Sequence, residues 1–598
     1  MDAIDATTGI PPAVTEETEP FWAAAAEGRL VVERCASCGA ETFPPRGICH
    51  HCRGRDLAIT EITGPGEVYS YTVDHQRWLP DLPVPYAMVL VEFPDHPGVR
   101  VGGRLRGCAP EDAAIGMPVE IGFQPGPGGF HIPSFVYTGG APANAPVDDG
   151  PGGDSGTTGT WQAPPEPTTV AATGTPEAAA TVPGSAGRTP IRPAGDTLRR
   201  TPGAGLGTEL FEHKVVISGV GQSAIGRQVD RSGFQLTLDA IIAAVADAGL
   251  TLDDIDGLAM YPGGGVANLP GYSNGSLYEI QDALRLRTTW RQGLVEGMSL
   301  PFYGPAQAVA TGAARHVVIW RTVKEGSAAR NAGGRPAYGS TKPVAEGPNA
   351  WLLPIGMLSP VCQIAPYATR YMHEYGVTRE QLAWLPVTQR AHAALNPDAV
   401  YRSPLTVEDY LAARVISSPI CLFDCDVPAD GATAIVVSAA ETARDLRAPV
   451  RIEAMAGVVD GRPSWEQWED MGRVGHGTAA ELWARTDLRP ADVDVAELYD
   501  GFTIEAVWWL EAMGFCGVGE AGSFVEGGKR IALDGELPLN TWGGQLSGGR
   551  LHAGFGHTAE AVRQLRGEAG ERQVRDARVA AVTNVGGIEA GAALLTTW

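Results

Sequence analysis

The sequence predicts a large α/β domain joined by a long polar tether to a small β-rich domain. From residue 213 onward, short apolar runs alternate with stretches of helical spacing, which favours a sheet covered by helices. Residues 140–207 are dominated by Pro, Gly, Ala, Thr and Ser, and four clustered cysteines precede them. A chain of 598 residues is long enough for more than one domain. We therefore divide it into residues 19–139, 140–207 and 213–598.

The bulk composition argues against several classes of partner. The formal net charge of −24 makes the chain a poor non-specific binder of nucleic acid or anionic membranes. No uninterrupted apolar run is long enough to span a bilayer. Residues 1–20 are acidic and lack the basic-then-apolar layout of a signal peptide. We expect a cytoplasmic protein with no nucleic-acid or membrane partner.

The clustered cysteines predict a metal site. Cys35 and Cys38 form one C-x-x-C knuckle, and Cys49 and Cys52 form a second one ten residues later. Four thiolates at this spacing suit a tetrahedral zinc ion. Redox dithiols are disfavoured, because both knuckles lie in one short hairpin-like segment. A shell of four cysteines leaves no position for a substrate, so we expect a structural zinc and place the histidines at 50 and 51 on the surface.

The rest of the small domain has the alternation of barrel strands at residues 66–73, 86–93 and 119–123. Ribbon and barrel together resemble the zinc-ribbon/OB-fold domain that accompanies many thiolase-like and hydratase-like acyl-CoA enzymes. The Phe-Trp pair at 21–22, followed by an alanine-rich run, matches the N-terminal helix of that family. OB-folds often bind nucleic acid, but an acidic chain without interleaved basic and aromatic residues argues against this.

The tether at 140–207 has few large apolar residues, so it cannot bury enough surface to offset its ordering entropy. We expect it to be flexible.

The large domain contains identifiable strands and helices. The strand candidates are residues 215–220, 317–320, 434–437 and 579–582. Residues 236–248 have helical spacing and stop at Gly249, and residues 304–312 are helix-like. This alternation predicts a mostly parallel sheet and two similar α/β halves.

Four motifs give the large domain its family resemblance. They lie at residues 422–432, 494–503, 540–544 and 583–587. Together they resemble the thiolase superfamily, most closely the sterol-carrier and lipid-transfer thiolases. The resemblance spans nearly all of residues 213–598, and it implies a layered thiolase-like fold and a homodimer.

Both thiolase cysteines are missing. The nucleophile is expected near residues 296–299 and the second cysteine near 583–584, and neither stretch contains one. Related lipid-transfer thiolases have His-Asp-Cys-Phe where residues 499–502 are Tyr-Asp-Gly-Phe. We interpret the cysteines outside the knuckles as small hydrophobes: Cys108, Cys362, Cys421, Cys425 and Cys516.

A thiolase fold with Tyr-Asp-Gly-Phe and no catalytic cysteine resembles the lipid-transfer-type aldolases of steroid side-chain degradation. The resemblance implies a steroid acyl-CoA substrate, with CoA as part of it, cleaved to a 17-keto steroid and propionyl-CoA. It also implies a possible MaoC-type enoyl-CoA hydratase partner. The implied substrate is a 17-hydroxy steroid, and its alcohol is tertiary. A tertiary alcohol cannot be oxidised to the β-ketone that thiolysis requires, so a thiolase reaction is excluded. Retro-aldol cleavage needs a base, a stabilised enolate and an acid.

The proton-transfer candidates come from the same motifs. Tyr499 is the expected base, provided that a nearby cation or hydrogen-bond network lowers its pKa from about 10. The family's second tyrosine is absent from the loop after residue 544. His552 is therefore our candidate acid, and His557 is expected to be structural. Tyr303 is either a substitute for that tyrosine or a core aromatic residue, and the second interpretation is favoured.

The expected substrate-binding residues surround Tyr499. Asn584 is expected to donate a hydrogen bond to the thioester or its enolate, and Gly543 and Gly544 to line the site. Asn540 either contacts the substrate or holds the loop. Asp500 either orients a partner or caps the helix that begins near residue 503, and capping is favoured.

Two other functions remain open. The first is a thiolase-like acyltransferase with an unrecognised nucleophile, which would transfer an acyl group to free CoA. The second is a catalytically silent acyl-CoA-binding scaffold for a hydratase.

Overall fold

The structure is a computed structural model. The residues that it describes are 9–79, 82–137, 139, 210–262, 275–293, 300–331, 344–459, 465, 475–551, 554–585 and 589–598. The predicted tether, the expected nucleophile position at 296–299 and the candidate acid His552 lie outside the described residues.

The small domain begins with helix α1 (Glu19–Ala26), which has a proline in its first turn, where proline is favourable. Its Phe-Trp pair is buried, and the Trp22 ring stacks on Trp351 of the large domain at 5.3 Å. Next comes an antiparallel zinc-ribbon sheet of β1 (Val31–Cys35), β2 (Glu41–Thr42) and β3 (Leu57–Glu61). The helix expected from the Phe-Trp pair is therefore present.

Five strands form the barrel of the small domain. They are β4 (Gly66–Asp74), β5 (Tyr86–Glu92), β6 (Arg100–Arg106), β7 (Pro118–Pro125) and β8 (His131–Tyr137). The order β4-β5-β6-β8-β7, closed by pairing of β4 with β7, produces a small barrel.

The large domain alternates strands and helices. Its strands are β9 (Val215–Gln222), β10 (Gly257–Met260), β11 (Trp290–Gly293), β12 (His316–Lys324), β13 (Val415–Ser417), β14 (Ile420–Cys421), β15 (Asp430–Ala439), β16 (Val450–Val459), β17 (Val495–Glu497), β18 (Val579–Asn584) and β19 (Glu589–Thr597). Its helices are α2 (Gly233–Asp247), α3 (Leu277–Leu284), α4 (Tyr303–Ala310), α5 (Glu325–Asn331), α6 (Asn349–Leu352), α7 (Pro360–Tyr375), α8 (Arg379–Ala394), α9 (Val407–Leu411), α10 (His476–Trp483), α11 (Thr503–Ala512), α12 (Ala521–Val525) and α13 (Phe555–Arg566). Of the helices in the described part of the chain, none has both the length and the apolar character that crossing a membrane requires.

The sheet of the large domain has two similar halves, as expected. Its order is β11-β10-β12-β15-β9-β16-β19-β18-β17. In the first half β10 runs parallel to β12, while β15 is antiparallel to β12 and to β9. In the second half β17 runs parallel to β18, while β19 is antiparallel to β18 and to β16. The first strands of the two halves, β9 and β16, meet antiparallel through only two residue pairs.

The prediction of a mostly parallel sheet is wrong. The parallel neighbours are β10 with β11, β10 with β12 and β17 with β18, and the other neighbours are antiparallel. Each half inserts one returning strand, β15 or β19, between its first strand and the parallel pair. Local apolar runs do not encode this insertion, because a strand has the same pattern in both directions.

The two domains share a sheet. The hairpin β13–β14 belongs to the large domain, but β13 pairs with β4 of the barrel, with Ser417 opposite Asp74. Thr72 donates a hydrogen bond to the Ser418 carbonyl at 2.8 Å. The buried Asp74 carboxylate accepts hydrogen bonds from the Tyr86 hydroxyl and the Cys362 thiol, each at 3.0 Å. The interface is therefore both apolar and hydrogen-bonded.

Candidate active site and metal centre

The four knuckle cysteines converge as the spacing predicts. Their sulfur atoms all lie within 4.8 Å of one another. The Sγ atoms of Cys35 and Cys52 are 3.5 Å apart, and those of Cys38 and Cys49 are 3.6 Å apart. A tetrahedron with Zn–S bonds of about 2.3 Å has S–S edges of about 3.8 Å, so the donor set fits zinc. His50 lies outside the cluster and contacts the Thr42 hydroxyl through Nδ1 at 2.9 Å.

The backbone favours the thiolate form of Cys35. The amides of Cys38 and Ser37 donate to it and lower its pKa to about 7. The pKa of Cys38 is raised instead, by burial and by the three neighbouring thiols. Thiolate is the metal-binding form of cysteine, so the backbone around Cys35 favours metal binding.

Tyr499 lies just beyond the carboxyl end of β17, next to the end of its parallel neighbour β18. Its backbone amide donates to the Thr583 hydroxyl of β18 at 2.9 Å. The side chain is only 8% exposed. Side chains at the ends of neighbouring parallel strands share one edge of the sheet, which is where α/β proteins usually bind ligands.

The electrostatic surroundings of Tyr499 differ from those we expected. Burial, followed by the charges of Glu505 and Asp426, raises its pKa well above the ordinary value, and the Gln545 side chain only partly opposes this. The condition for a tyrosinate base, a lowered pKa, is therefore not met within the described residues. At neutral pH the Tyr499 hydroxyl therefore keeps its proton.

Glu505 approaches Tyr499 across Gly501. A methyl group at position 501 would lie 2.7 Å from Glu505 Oε2 and 2.9 Å from the Tyr499 hydroxyl oxygen. The same Oε2 accepts a hydrogen bond from the Phe502 amide at 3.0 Å. Burial raises the pKa of Glu505 to about 8, and Asp426 and Asp500 contribute to this rise. The glycine of the motif therefore leaves a space that both oxygens border.

A buried ion-pair cluster adjoins this space. Arg550 Nε donates to Glu325 at 2.6 Å, and Arg550 Nη1 donates to Asp426 at 3.1 Å. The Asp426 amide donates to the Gly501 carbonyl at 3.1 Å. Burial raises the pKa of Asp426 to about 7, although Arg550 opposes the shift. Sequence reasoning missed these residues; the signal for Asp426 was its place in the 422–432 motif.

Asp500 contacts a histidine and does not cap α11, so the favoured interpretation of Asp500 as the cap of that helix was wrong. Its Oδ1 lies 2.9 Å from His557 Nε2 and accepts from the Gln545 amide at 3.0 Å. The first turn of α11 is capped by Glu505 instead. His557 has the structural role that we expected.

Asn540 ties its loop to the backbone of Leu498. Its Oδ1 accepts from the Leu498 amide at 2.7 Å, and its Nδ2 donates to the Leu498 carbonyl at 2.8 Å. Gly543 and Gly544 are needed for close packing: methyl groups there would lie 2.6 Å from Ala393 Cβ and 2.0 Å from Asp500 Oδ2, respectively. The two glycines thus shape the turn, and the substrate-binding assignments of Asp500, Asn540, Gly543 and Gly544 stay predictions.

Asn584 ends β18 beside Gly554 and Pro301. A methyl group at Gly554 would lie 3.3 Å from Asn584 Cβ and 3.5 Å from Pro301 Cδ. Pro301 follows the 294–299 segment, Gly554 follows His552, and Asn584 precedes the C-terminal Gly-Gly pair. These three residues therefore lie close together. The roles of Asn584 and His552 stay predictions.

Three family descriptions match parts of the chain. Residues 22–58 match the rubredoxin-like zinc ribbon domain of ChsH2, and residues 60–124 match the ChsH2 C-terminal OB-fold domain. Residues 463–596 match the thiolase C-terminal domain-like family. The zinc ribbon, the OB-fold and the thiolase-like fold are confirmed.

Two relatives and one solved structure extend these matches. The steroid side-chain-cleaving aldolase of Thermomonospora curvata is 37% identical over 362 residues, 59% of this chain and 90% of the relative. The 17-hydroxy-3-oxo-4-pregnene-20-carboxyl-CoA lyase of Mycobacterium tuberculosis is 36% identical over 379 residues, 60% of this chain and 93% of the relative. The chain belongs to the steroid side-chain-cleaving aldolases. The solved structure of an Ltp2-ChsH2(DUF35) aldolase matches this aldolase with a TM-score of 0.56 and 32% identity, covering 65% of this chain and 99% of that one.

The remaining cysteines of this aldolase are unsuited to nucleophilic catalysis. Burial raises the thiol pKa of Cys362, Cys421, Cys425 and Cys516 above the ordinary value. A buried thiol with a raised pKa is a poor nucleophile. These four thiols are therefore no substitute for the missing thiolase cysteines, in agreement with a carbon–carbon lyase on a thiolase fold.

Tyr303 of the aldolase is a partly buried residue that packs against the core. It starts α4 and packs edge-on against Phe211 at 6.0 Å. Burial raises its pKa above the ordinary value. The favoured interpretation of this residue agrees with its surroundings.

Proposed function

We propose that the enzyme cleaves a β-hydroxyacyl-CoA side chain from a steroid or bile-acid nucleus by a retro-aldol reaction, giving a 17-keto steroid and propionyl-CoA. The observation that carries this proposal is Tyr499, a hydroxyl where related thiolases have a histidine, buried at the ligand-binding edge of a thiolase-like sheet without catalytic cysteines. The Mycobacterium tuberculosis relative, named a 17-hydroxy-3-oxo-4-pregnene-20-carboxyl-CoA lyase, supports the substrate class.

In the proposed reaction the Tyr499 hydroxyl contacts the tertiary alcohol. As the alcohol proton departs, the C–O bond becomes a carbonyl and the bond between the α- and β-carbons breaks. The electron pair moves into the thioester and forms an enolate, which is then protonated on the α-carbon. Asn584 and His552 are the proposed contacts of the thioester, and His552 is the proposed acid.

We further propose a structural zinc ion held by the four knuckle cysteines. The sulfur geometry and the match to a zinc-ribbon family support it. Zinc would stabilise the fold of the ribbon and take no part in the reaction, because four thiolates complete its coordination shell.

The proposed assembly is a homodimer through the thiolase-like domain, with a MaoC-type enoyl-CoA hydratase as a possible partner. The solved aldolase complex named for Ltp2 and ChsH2 supports association between these two kinds of domain. We retain domain boundaries at 19–139, 140–207 and 213–598.

The direct test incubates the purified protein with candidate β-hydroxyacyl-CoA esters and identifies the products by mass spectrometry. A ketone and propionyl-CoA in equal amounts, without added CoA, are expected. Products that require free CoA would indicate an acyltransferase, and tight binding without turnover would indicate a scaffold.

A further inference from the structure

The raised pKa of Tyr499 leaves the proposed reaction without a base. A hydroxyl that keeps its proton can accept the alcohol proton only if it passes its own proton on at the same time. The acceptor must therefore be close to the Tyr499 oxygen, and ionisable near neutral pH.

Glu505 is ionisable near neutral pH and borders the same space as the Tyr499 oxygen. No hydrogen bond joins the two side chains in this structure, so the proton transfer requires them to approach each other when the substrate binds. The Glu505 Oε2 and the Tyr499 oxygen lie 2.7 Å and 2.9 Å, respectively, from the same point above Gly501. The backbone at Gly501 is not left-handed, so the glycine is needed for the space and not for its conformation. If Glu505 served only as a helix cap, its contact with the Phe502 amide would be sufficient, and the space beside Gly501 that it shares with Tyr499 would not be needed.

Asp426 is the competing carboxylate near Tyr499. Asp426 is paired with Arg550, whose positive charge stabilises the ionised carboxylate and makes it a weaker base. Glu505, in contrast, forms no ion pair among the described residues. A carboxylate without a cation is the stronger base of the two once it is ionised.

We propose that Glu505 accepts, through Tyr499, the proton of the substrate alcohol. The proposal rests on the retro-aldol function above. The alcohol proton moves to the Tyr499 oxygen, and the Tyr499 proton moves to the Glu505 carboxylate. The electrons of the broken O–H bond form the carbonyl, and those of the C–C bond form the enolate. Glu505 then holds one extra proton until the enolate has been protonated and the product leaves.

The relay predicts the direction of the pH dependence. Glu505 must be ionised to accept a proton, so kcat/KM rises with pH through its ionisation, near the pKa of about 8 that burial gives it. The groups that face it are Asp426 and Asp500, which raise this pKa, together with the Tyr499 hydroxyl. Arg550 lies beyond Asp426, and His557 lies beyond Asp500.

The test is Glu505→Gln, because glutamine has the same size and its oxygen still accepts from the Phe502 amide. We expect kcat to fall about a hundredfold with little change in KM, and the rise near pH 8 to disappear. Glu505→Asp should restore part of kcat and the pH rise. Glu279→Gln is the matched control, since Glu279 caps α3 through the Ser276 amide at 2.7 Å and is exposed. It should leave kcat and the pH profile unchanged.

Three outcomes would overturn the relay. They are a normal kcat and pH rise in Glu505→Gln, loss of the rise only in Asp426→Asn, or a wild-type profile that is flat between pH 6 and 9. The wild-type pH profile needs no variant, so the relay can still be tested if the Glu505→Gln protein fails to fold. If the wild-type protein cleaves no β-hydroxyacyl-CoA at all, the proposed function fails first.

Discussion

The acidic surroundings of Tyr499 decide how its hydroxyl is used. Most tyrosines that act as bases need a cation nearby to stabilise the phenolate, but Tyr499 faces Glu505 and Asp426. The family resemblance singled out the tyrosine but could not supply its electrostatics. The pKa of Tyr499 depends on Asp426, about seventy positions earlier in the chain, and on Glu505 in the helix that follows.

Tyr499→Phe removes one oxygen and keeps the ring. We expect turnover to fall by about a hundredfold or more, with substrate affinity and thermal unfolding close to those of the wild type. Steady-state kinetics and melting curves measure the two effects separately. Tyr303→Phe is the control, because Tyr303 packs against the core beside Phe211. Equal turnover in Tyr499→Phe and wild type would rule out the oxygen-based mechanism.

Gly544→Ala tests the close approach of the Gly-Gly turn to Asp500. The new methyl group would lie 2.0 Å from Asp500 Oδ2, and Gly544 has a φ of +58°. Gly567 also has a positive φ, of +72°, but a methyl group there would meet nothing within 4 Å. Both substitutions carry backbone strain of about 1–3 kcal/mol, and only Gly544→Ala adds a collision. Chemical denaturation should show Gly544→Ala as clearly the less stable variant; equal stabilities would contradict the packing argument.

At the scale of single elements, the zinc ribbon is the best-predicted unit. Metal ligands at fixed spacing encode their own geometry, so four cysteines in the sequence sufficed. The sheet of the large domain was harder to predict. Apolar runs located β9, β12, β15 and β18, but the direction of β15 and β19 depends on contacts far apart in the sequence. The helix cap that we favoured for Asp500 was wrong for the same reason, because the partners of Asp500 are set by tertiary packing.

Cys35→Ser should lower the zinc content and destabilise the small domain, because structural zinc binding is coupled to folding. Metal analysis and thermal melting report the two effects. Cys108→Ser is the control, since Cys108 lies outside the cluster. One zinc per chain and an unchanged melting temperature in Cys35→Ser would refute the site.

At the scale of the whole molecule, the two domains are joined by more than the tether. The shared sheet, the Asp74 hydrogen bonds and the stacked Trp22 and Trp351 rings form a specific interface. The composition of the sequence predicted two domains and a tether, but it could not predict this contact, because interface residues look like ordinary core residues.

Cleavage of the tether near Pro165 should therefore leave the two parts associated. Size-exclusion chromatography of the cleaved protein at micromolar concentration measures this directly. Asp74→Ala in the cleaved protein should promote separation, since Cys362 and Tyr86 lose their acceptor. Asp112, which is exposed, provides the control position. Separation of the cleaved wild-type parts would mean that the tether supplies association by effective concentration.

The shared hairpin also has a consequence for biogenesis. Without the barrel, β13 would present unpaired amides and carbonyls at an open edge, which is a template for aggregation. The large domain is the later part to leave the ribosome, so its hairpin meets a partner that has already been made. A single chain therefore guarantees one barrel for every hairpin, a stoichiometry that two separate genes would have to balance by expression.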